Sequence, residues 1–282
     1  MSNDLIIQTY LELLKKVILF EIWEEYEPYL PGTLHISQNL PYEPITFPVA
    51  PEIKAYVEAL NLDIVKKHFS KEDRKLGEDW PKAAHSMIGR SRMNQLHDAM
   101  ETIIKENIDG DFIETGVWRG GACIFMRGFL KAYGITNRKV WVADSFEGLP
   151  TPDIKNYPQD KDDTLYQYDY LRVSLEEVQK NFKKYDLLDD QVHFLKGWFK
   201  DTLPTAPVEK IAIARLDGDM YESTMDSLTN LYHKISPGGF IIIDDYALPT
   251  CEKAIFDFRK KYSIETPLIP IDNLSVYWRK GL

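Results

Sequence analysis

The stretch Glu114-Thr115-Gly116-Val117-Trp118-Arg119-Gly120-Gly121 decides the fold of this chain. It follows the short apolar run Asp111-Phe112-Ile113 and precedes a segment of helical periodicity from Ala122 to Lys131, so it lies where a strand turns into a helix. In parallel α/β sheets this is a nucleotide-binding position, because ligands rest there against the helix N-terminus. The stretch therefore predicts a cofactor-binding turn, which is called the donor turn below.

The glycine spacing of the donor turn argues against a pyrophosphate ligand. In the dinucleotide pattern G-x-G-x-x-G, the second glycine lets the backbone approach the pyrophosphate. Gly116 and Gly121 hold the first and third glycine places, but Trp118 holds the second. Glu114, just before the turn, suits a cationic ligand end. S-adenosylmethionine carries an ammonium group and no phosphate, so we expect it here rather than a dinucleotide.

Composition limits the functions that the chain can have. Its 282 residues suffice for one large domain, and a net charge of -10 removes the electrostatic basis for sequence-independent nucleic-acid binding. We therefore expect a small-molecule partner. Cys123 and Cys251 lack metal-type spacing and are interpreted as reduced structural thiols. Without a signal peptide or a membrane span in the pattern, we expect a soluble, cytoplasmic protein that does not associate with membranes.

Residues 1–80 are interpreted as a helical N-terminal extension with a proline-rich connector. Apolar side chains recur with a helical period from Asp4 to Tyr26, which predicts an amphipathic helix. Prolines between Pro28 and Pro51 predict an extended connector, and a second helical stretch is expected from Glu52 to about Phe69. Three roles stay open for the extension: packing against the core, contacting a second subunit as in a homodimer, or covering a substrate.

Residues 81–282 are interpreted as one catalytic domain in which strands and helices alternate. Strands are predicted at 112–115, 140–144, 192–196, 211–217 and 240–244, with helices at 93–106 and 251–262 and a terminal hairpin formed by 267–271 and 275–279. Apolar runs such as Ile211 to Ala214 indicate strands buried on both faces. We predict an α/β, Rossmann-like class I methyltransferase fold, with a parallel five-strand core and a C-terminal antiparallel hairpin, by analogy with that class.

Two strand ends suggest contacts to an adenosyl group. Asp144 ends the second strand, where an acid can accept hydrogen bonds from ribose hydroxyls; the alternative is a helix cap or a turn residue. The third strand ends at Gly197-Trp198-Phe199, whose rings could pack against adenine or belong to the core. Both alternatives stay open at each position.

Three carboxylates are expected to converge at one edge of the sheet. Asp217 ends the fourth strand, and Asp244 and Asp245 end the fifth. Clustered carboxylates raise one another's pKa, whereas Mg²⁺ takes oxygen ligands and neutralises them. This pattern predicts a magnesium site that holds and acidifies an acceptor hydroxyl. The alternative is that each acid caps a helix or faces solvent.

Several ordered motifs resemble one family closely. They are Met87-Ile88-Gly89-Arg90, Ile113 to Gly121, Trp141 to Pro150, Gly197 to Thr202, Leu216 to Asp219, Ser236 to Gly239, Asp244-Asp245-Tyr246, Asp257-Phe258-Arg259 and Tyr277-Trp278-Arg279. From about residue 80 onward the chain resembles the macrocin O-methyltransferases, magnesium- and S-adenosylmethionine-dependent enzymes that methylate sugar hydroxyls of antibiotics. The resemblance implies an O-methyltransferase acting on a secondary metabolite, a glycoside or a polyketide or peptide product.

The resemblance and the residue chemistry together give a set of expected site residues. For the cofactor they are Met87, Glu114, Thr115, Gly116, Val117, Trp118, Arg119, Asp144, Ser145, Gly197, Trp198 and Asp217, and for the metal Asp217, Asp244 and Asp245. Asp217 is also expected to be the general base, as the resemblance implies. A catechol-type lysine base is disfavoured, because Met220 stands at its place. No histidine has metal-type spacing, and none is assigned a catalytic role.

Residues 151–172 form an acidic, tyrosine-rich segment after the second strand. It could close over the site as a lid or remain a solvated insertion. Two rival functions also stay open: a nicotinamide-dependent oxidoreductase, which Trp118 disfavours, and a regulatory protein that binds S-adenosylmethionine without turnover, which the three acids disfavour.

Overall fold

A computed structural model describes residues 3–23, 55–56, 59–60, 70–79 and 81–281. The predicted proline-rich connector lies outside these residues, and so does most of the predicted helix from Glu52 to Phe69. The domain boundary near residue 80 stays a prediction.

The described residues form a seven-stranded sheet in the order β3-β2-β1-β4-β5-β7-β6. The strands are β1 (Asp111–Thr115), β2 (Val140–Asp144), β3 (Val192–Lys196), β4 (Ile211–Leu216), β5 (Ile235–Ile243), β6 (Ile269–Pro270) and β7 (Val276–Arg279). Strands β1 to β5 pair in parallel, and β7 pairs antiparallel with β5 and β6. The order reverses between β1 and β4, and ligands bind α/β sheets at such a switch point. The predicted fold class is confirmed.

Helices cover both faces of the sheet. They are α1 (Asn3–Ile18), α2 (Lys71–Leu76), α3 (Gly89–Lys105), α4 (Gly121–Ala132), α5 (Leu175–Lys184), α6 (Phe199–Thr202), α7 (Tyr221–Leu231) and α8 (Pro249–Lys261). Local sequence sets some of these ends: Ser174 caps α5 by accepting from the Glu177 N–H, which stands three residues on. Residues of α1, α3, α4 and α5 contribute to one core, and those of α7 and α8 to another on the opposite face.

The N-terminal helix packs against the core, which is one of the three roles left open above. Leu11 and Ile18 are fully buried in the first core, and the Leu14 side chain lies against α4 at Gly128. The helix ends at Ile18 rather than at Tyr26 as predicted, because Phe20 takes a left-handed backbone conformation (φ 57) and Glu21 N–H donates to the Lys16 carbonyl. None of the described helices has the length and apolarity needed to span a membrane.

Strand β5 begins five residues earlier than predicted. The strand includes Ser236-Pro237-Gly238-Gly239, residues that the predicted strand left out. Its pairing with β4 is irregular between Ile211 and Ile213 and regular afterwards. Proline and glycine inside a strand commonly mark such a bulge. Beyond the bulge, the parallel strands bring Asp217 and Asp244 to the same edge.

Candidate active site

A cavity of about 1490 Å³, its open mouth included, lies at the carboxyl ends of the parallel strands. It is lined by eleven of the predicted site residues: Met87, Glu114, Gly116, Val117, Trp118, Asp144, Ser145, Trp198, Asp217, Asp244 and Asp245. The donor turn and the acidic residues thus face one space.

Backbone hydrogen bonds join the donor turn to the end of β2 and to Asp217. Gly116 N–H donates to the Ala143 carbonyl and Asp217 N–H donates to the Thr115 carbonyl, each at 2.9 Å. At Gly116 (φ +82) the two segments come so close that a Cβ atom would lie 1.7 Å from the Asp217 carbonyl oxygen. Only glycine is compatible with this approach.

Asp144 fixes the other side of the donor turn. Its Oδ2 accepts from the Val117 N–H at 2.8 Å, and its Oδ1 accepts from the Phe146 N–H at 2.7 Å. The turn-residue alternative is therefore realised in these contacts. Asp144 also lines the cavity, and binding of a ribose hydroxyl by its carboxylate stays a prediction.

Asp217, Asp244 and Asp245 form a compact acidic cluster. One carboxylate oxygen from each lies within 4.8 Å of the others. Burial and the Asp244 carboxylate raise the pKa of Asp217 to about 6, although Arg215 opposes this. Burial and neighbouring carboxylates hold the pKa of Asp245 and of nearby Asp219 well above the usual range of aspartates. Ionised carboxylates at this density call for a compensating cation.

Two buried arginines compensate part of this charge. Arg215, only 1% exposed, donates from Nη1 to Glu114 at 2.5 Å and to Asp217 at 2.8 Å, and from Nη2 to Asp244 Oδ1. Arg92 donates from Nη1 to Asp244 Oδ2 at 2.6 Å and from Nε to Asp272 at 3.0 Å. Arg215 thus connects the donor turn directly to the acidic cluster.

The donor set suits a hard divalent cation. Asp244 has both oxygens occupied by guanidinium donors, but Asp217 has only Oδ2 in contact with Arg215, and Asp245 Oδ2 accepts only the Asp219 N–H at 3.1 Å. Free carboxylate lone pairs therefore remain on Asp217 and Asp245 among the described residues. Carboxylate oxygens in small numbers, with room for water, are what Mg²⁺ prefers.

Glu114, the first residue of the donor turn, has both carboxylate oxygens engaged. Arg215 donates to Oε1, and the Cys123 thiol donates to Oε2 at 2.9 Å. Burial raises the pKa of Glu114 to about 7, although Arg215 lowers it. Cys123 thus has a structural role, while a contact between Glu114 and a ligand ammonium stays a prediction.

Segment 151–172 contacts the site rather than projecting into solvent as a whole. Leu165 and Leu171 line the cavity. The Trp118 indole N–H donates to the Tyr170 carbonyl at 3.1 Å, and the Tyr170 hydroxyl donates to the Pro81 carbonyl at 2.6 Å. The indole at the second glycine place therefore binds the segment that covers the turn.

Three predicted cofactor residues do not line the cavity. Thr115 is fully buried, and its hydroxyl accepts from Ser227 at 3.2 Å behind the sheet edge. Arg119 lies over the Trp118 ring, 4.2 Å from its centroid, and donates to the Ala84 carbonyl at 3.0 Å. Gly197 contributes a turn (φ +140) that leads into Trp198. All three support neighbours that do line the cavity.

Sequence reasoning missed Arg92, Arg215 and Asp272. A cation inside the buried run Ile211 to Leu216 was a signal for Arg215, since a buried charge needs partners. Arg92 and Asp272 are 180 positions apart, so no local pattern could have joined them.

Comparisons with known proteins fit this geometry. The family model for macrocin-O-methyltransferase (TylF) matches residues 7–280. Mycinamicin III 3''-O-methyltransferase of Micromonospora griseorubida is 51% identical over 221 residues, which cover 77% of this chain and 87% of that protein. An O-methyltransferase of Streptomyces olivaceus, named for the 4'-O position of a rhamnosyl-tetracenomycin, is 52% identical over 209 residues, 74% of this chain and 80% of that protein.

A solved O-methyltransferase structure has the same fold as this chain. The O-methyltransferase NovP superimposes with a TM-score of 0.82 at 42% identity, covering 98% of this chain and 100% of that chain. These relatives set aside both rival functions considered above, the nicotinamide-dependent oxidoreductase and the binding protein without turnover, in favour of an O-methyltransferase. The chain belongs to the macrocin-O-methyltransferase family of S-adenosylmethionine-dependent O-methyltransferases.

Proposed function

We propose that this enzyme methylates a sugar hydroxyl of a natural-product glycoside in a Mg²⁺-dependent reaction. The observation that carries the proposal is the cavity itself, because the donor turn and the acidic cluster open into the same space. A methyl donor on the turn would lie next to an acceptor hydroxyl held at the carboxylates.

The chain's own residues would bind and orient the two ligands. The donor turn, Asp144 and Trp198 would hold the adenosyl part of S-adenosylmethionine. Asp217 and Asp245 would hold the ion together with Asp244, which would use the acceptor sites that Arg92 and Arg215 leave on its oxygens. When bound, the methyl donor supplies an electrophilic methyl group, and Mg²⁺ supplies positive charge that makes a nearby hydroxyl more acidic. Most of the acceleration would come from positioning and charge neutralisation.

Asp217 is the proposed general base. Its Oδ1 has no contact with Arg215, whereas Oδ2 does, so Oδ1 is the oxygen that would take the hydroxyl proton. A carboxylate beside Mg²⁺ is a weak base, so this role depends on the ion making the acceptor hydroxyl more acidic. Arg215 would keep the carboxylate oriented while the proton moves.

The relatives support the acceptor class. One is named for a 3''-O position on mycinamicin III and another for a 4'-O position on a rhamnosyl group, which are hydroxyl positions on decorated natural products. Both match about three quarters of this chain at about half identity. A sugar hydroxyl on a glycoside is therefore the first acceptor to test.

The test is mass spectrometry of pooled glycosides, aglycones and peptides incubated with methyl-labelled S-adenosylmethionine. We expect label on the sugar of one or more glycosides, loss of the product with a chelator, and recovery with Mg²⁺. Label that appears only on aglycones or peptides would contradict the acceptor class. Unchanged turnover in the chelator would contradict the metal role.

Matched variants separate the metal site from general damage. Asp217→Asn and Asp245→Asn should abolish Mg²⁺-dependent turnover, while calorimetry with S-adenosylhomocysteine should show nearly unchanged affinity. Asp190→Asn, on the exposed end of the loop before β3, serves as the control and should keep full activity. Full activity of both cluster variants would refute the proposed roles.

A further inference from the structure

One buried side chain joins segment 151–172 to the acidic cluster. Asp160 is fully buried, and its two oxygens accept the N–H groups of Tyr221 at 2.7 Å and of Glu222 at 3.0 Å. These are the first two residues of α7, and Met220, the residue before them, makes no side-chain cap. Asp160 therefore caps α7 from a position 61 residues earlier in the chain.

The capped first turn of α7 directly follows residues 217–220, which we call the carboxylate loop. Asp219 in this loop has a left-handed backbone (φ 54), an unfavourable conformation for a residue other than glycine. Its N–H donates to Asp245 at 3.1 Å, and its carbonyl accepts from Thr250 at 3.0 Å. A conformation of this kind persists only when its surroundings hold it. The first turn of α7 is one of those surroundings.

Asp160 is buried, whereas the two residues that follow it in the sequence are exposed. The next two side chains, Lys161 and Asp162, are 68% and 88% exposed. Tyr157 packs near the Tyr221 ring, with centroids 6.1 Å apart. Since the other end of the segment is bound to Trp118 through Tyr170, the segment spans the donor turn and the carboxylate loop.

We infer that Asp160 is a positioning residue that couples closure of segment 151–172 to the conformation of the carboxylate loop. The inference rests on the proposed function, because it assumes that the loop holds a metal ion. When the segment is closed, Asp160 completes the first turn of α7 and supports the loop. When the segment opens, the turn loses its cap and the loop loses that support. A metal ion that fixes the loop must, by linkage, also favour the closed segment.

The test combines limited trypsin digestion at exposed Lys155, which is not adjacent to any of the substituted residues, with calorimetry of Mg²⁺ binding, both without an acceptor. In the wild type we expect Mg²⁺ to slow cleavage at Lys155. In Asp160→Ala we expect about fivefold faster cleavage and about fivefold weaker Mg²⁺ binding, the factor that corresponds to loss of one helix cap. Asp160→Asn keeps one acceptor oxygen and should recover part of both effects.

Asp162→Asn is the matched control, since it removes a neighbouring charge that makes no contact with α7; both readouts should equal those of the wild type. A cap with only a structural role would speed cleavage but leave Mg²⁺ affinity unchanged, and that result in both Asp160 variants overturns the inference. Mg²⁺ binding by the wild type without slower cleavage also overturns it. Absence of Mg²⁺ binding by the wild type overturns the metal role in the proposed function and the inference with it. If Asp160→Ala fails to fold, the comparison is made with Asp160→Asn.

Discussion

Replacing Gly116 by alanine tests whether the donor turn and the carboxylate loop are in direct backbone contact. The new Cβ would lie 1.7 Å from the Asp217 carbonyl oxygen and 2.9 Å from its carbon. Roughly 1.5 Å of separation would have to be regained to reach ordinary contact. Backbone hydrogen bonds from Gly116 to Ala143 and from Asp217 to Thr115 keep the two backbones from moving apart.

Two effects contribute to the expected loss of stability. The left-handed backbone costs alanine about 1–2 kcal/mol, and the steric overlap adds about 1–3 kcal/mol. Gly134→Ala is the matched control, because Gly134 is also left-handed (φ +65) but an added Cβ would meet nothing within 4 Å. It should lose only the first contribution.

Urea denaturation of the two variants measures the difference in free energy of unfolding. We expect Gly116→Ala to lose about 1–3 kcal/mol more than Gly134→Ala, and to lose methyl transfer that Gly134→Ala retains. If the two variants are equally stable and equally active, the backbone contact at Gly116 does not exist as described.

Two further predictions concern Arg215 and His85. Arg215→Met leaves Asp217 and the buried carboxylates of Glu114 and Asp244 without their shared partner and should lower the free energy of unfolding by about 3–5 kcal/mol. Lys210→Met, which breaks an exposed pair with Asp109, should lower it by about 0–1 kcal/mol, and similar losses in urea titrations would contradict the network. Burial and the charge of Lys184 lower the pKa of His85 to about 4 from 6.5, so the unfolded chain binds the proton more readily. The free energy of unfolding should therefore fall as the pH drops from about 6.5 toward 4. Thermal melts of His85→Gln should show a weaker fall than those of exposed His233→Gln, and equal slopes would count against a partly buried, neutral imidazole.

The positions of the acids could be predicted from the sequence, but their partners could not. Asp217 and Asp244 follow apolar strands, and the ends of parallel strands meet at one edge whatever the details of packing. Arg92 and Asp272 come from α3 and the loop before β7, whose approach depends on the antiparallel addition of β7 beside β5. No local pattern encodes that approach.

In segment 151–172, too, the sequence could not predict which residues make contacts. The tyrosine content indicated that these side chains contact other groups, and the Tyr170 ring does lie against the Trp118 ring, with centroids 5.5 Å apart. Asp160, however, was one of several acids in a row, and only the position of the α7 N-terminus distinguishes it from exposed Asp162. The indole at Trp118 was interpreted as a barrier to pyrophosphate, and the structure adds a second role as an anchor for the covering segment.

The C-terminal hairpin has a consequence for the order in which the site can form. Asp272 holds Arg92 against Asp244, and the Ser275 hydroxyl donates to the Asp244 carbonyl at 2.5 Å. During synthesis the ribosome releases Asp144 and Asp217 well before these two supports. A nascent chain can therefore fold the donor turn while translation continues, whereas the acidic half of the site can be completed only after Asp272 and Ser275 have left the exit tunnel.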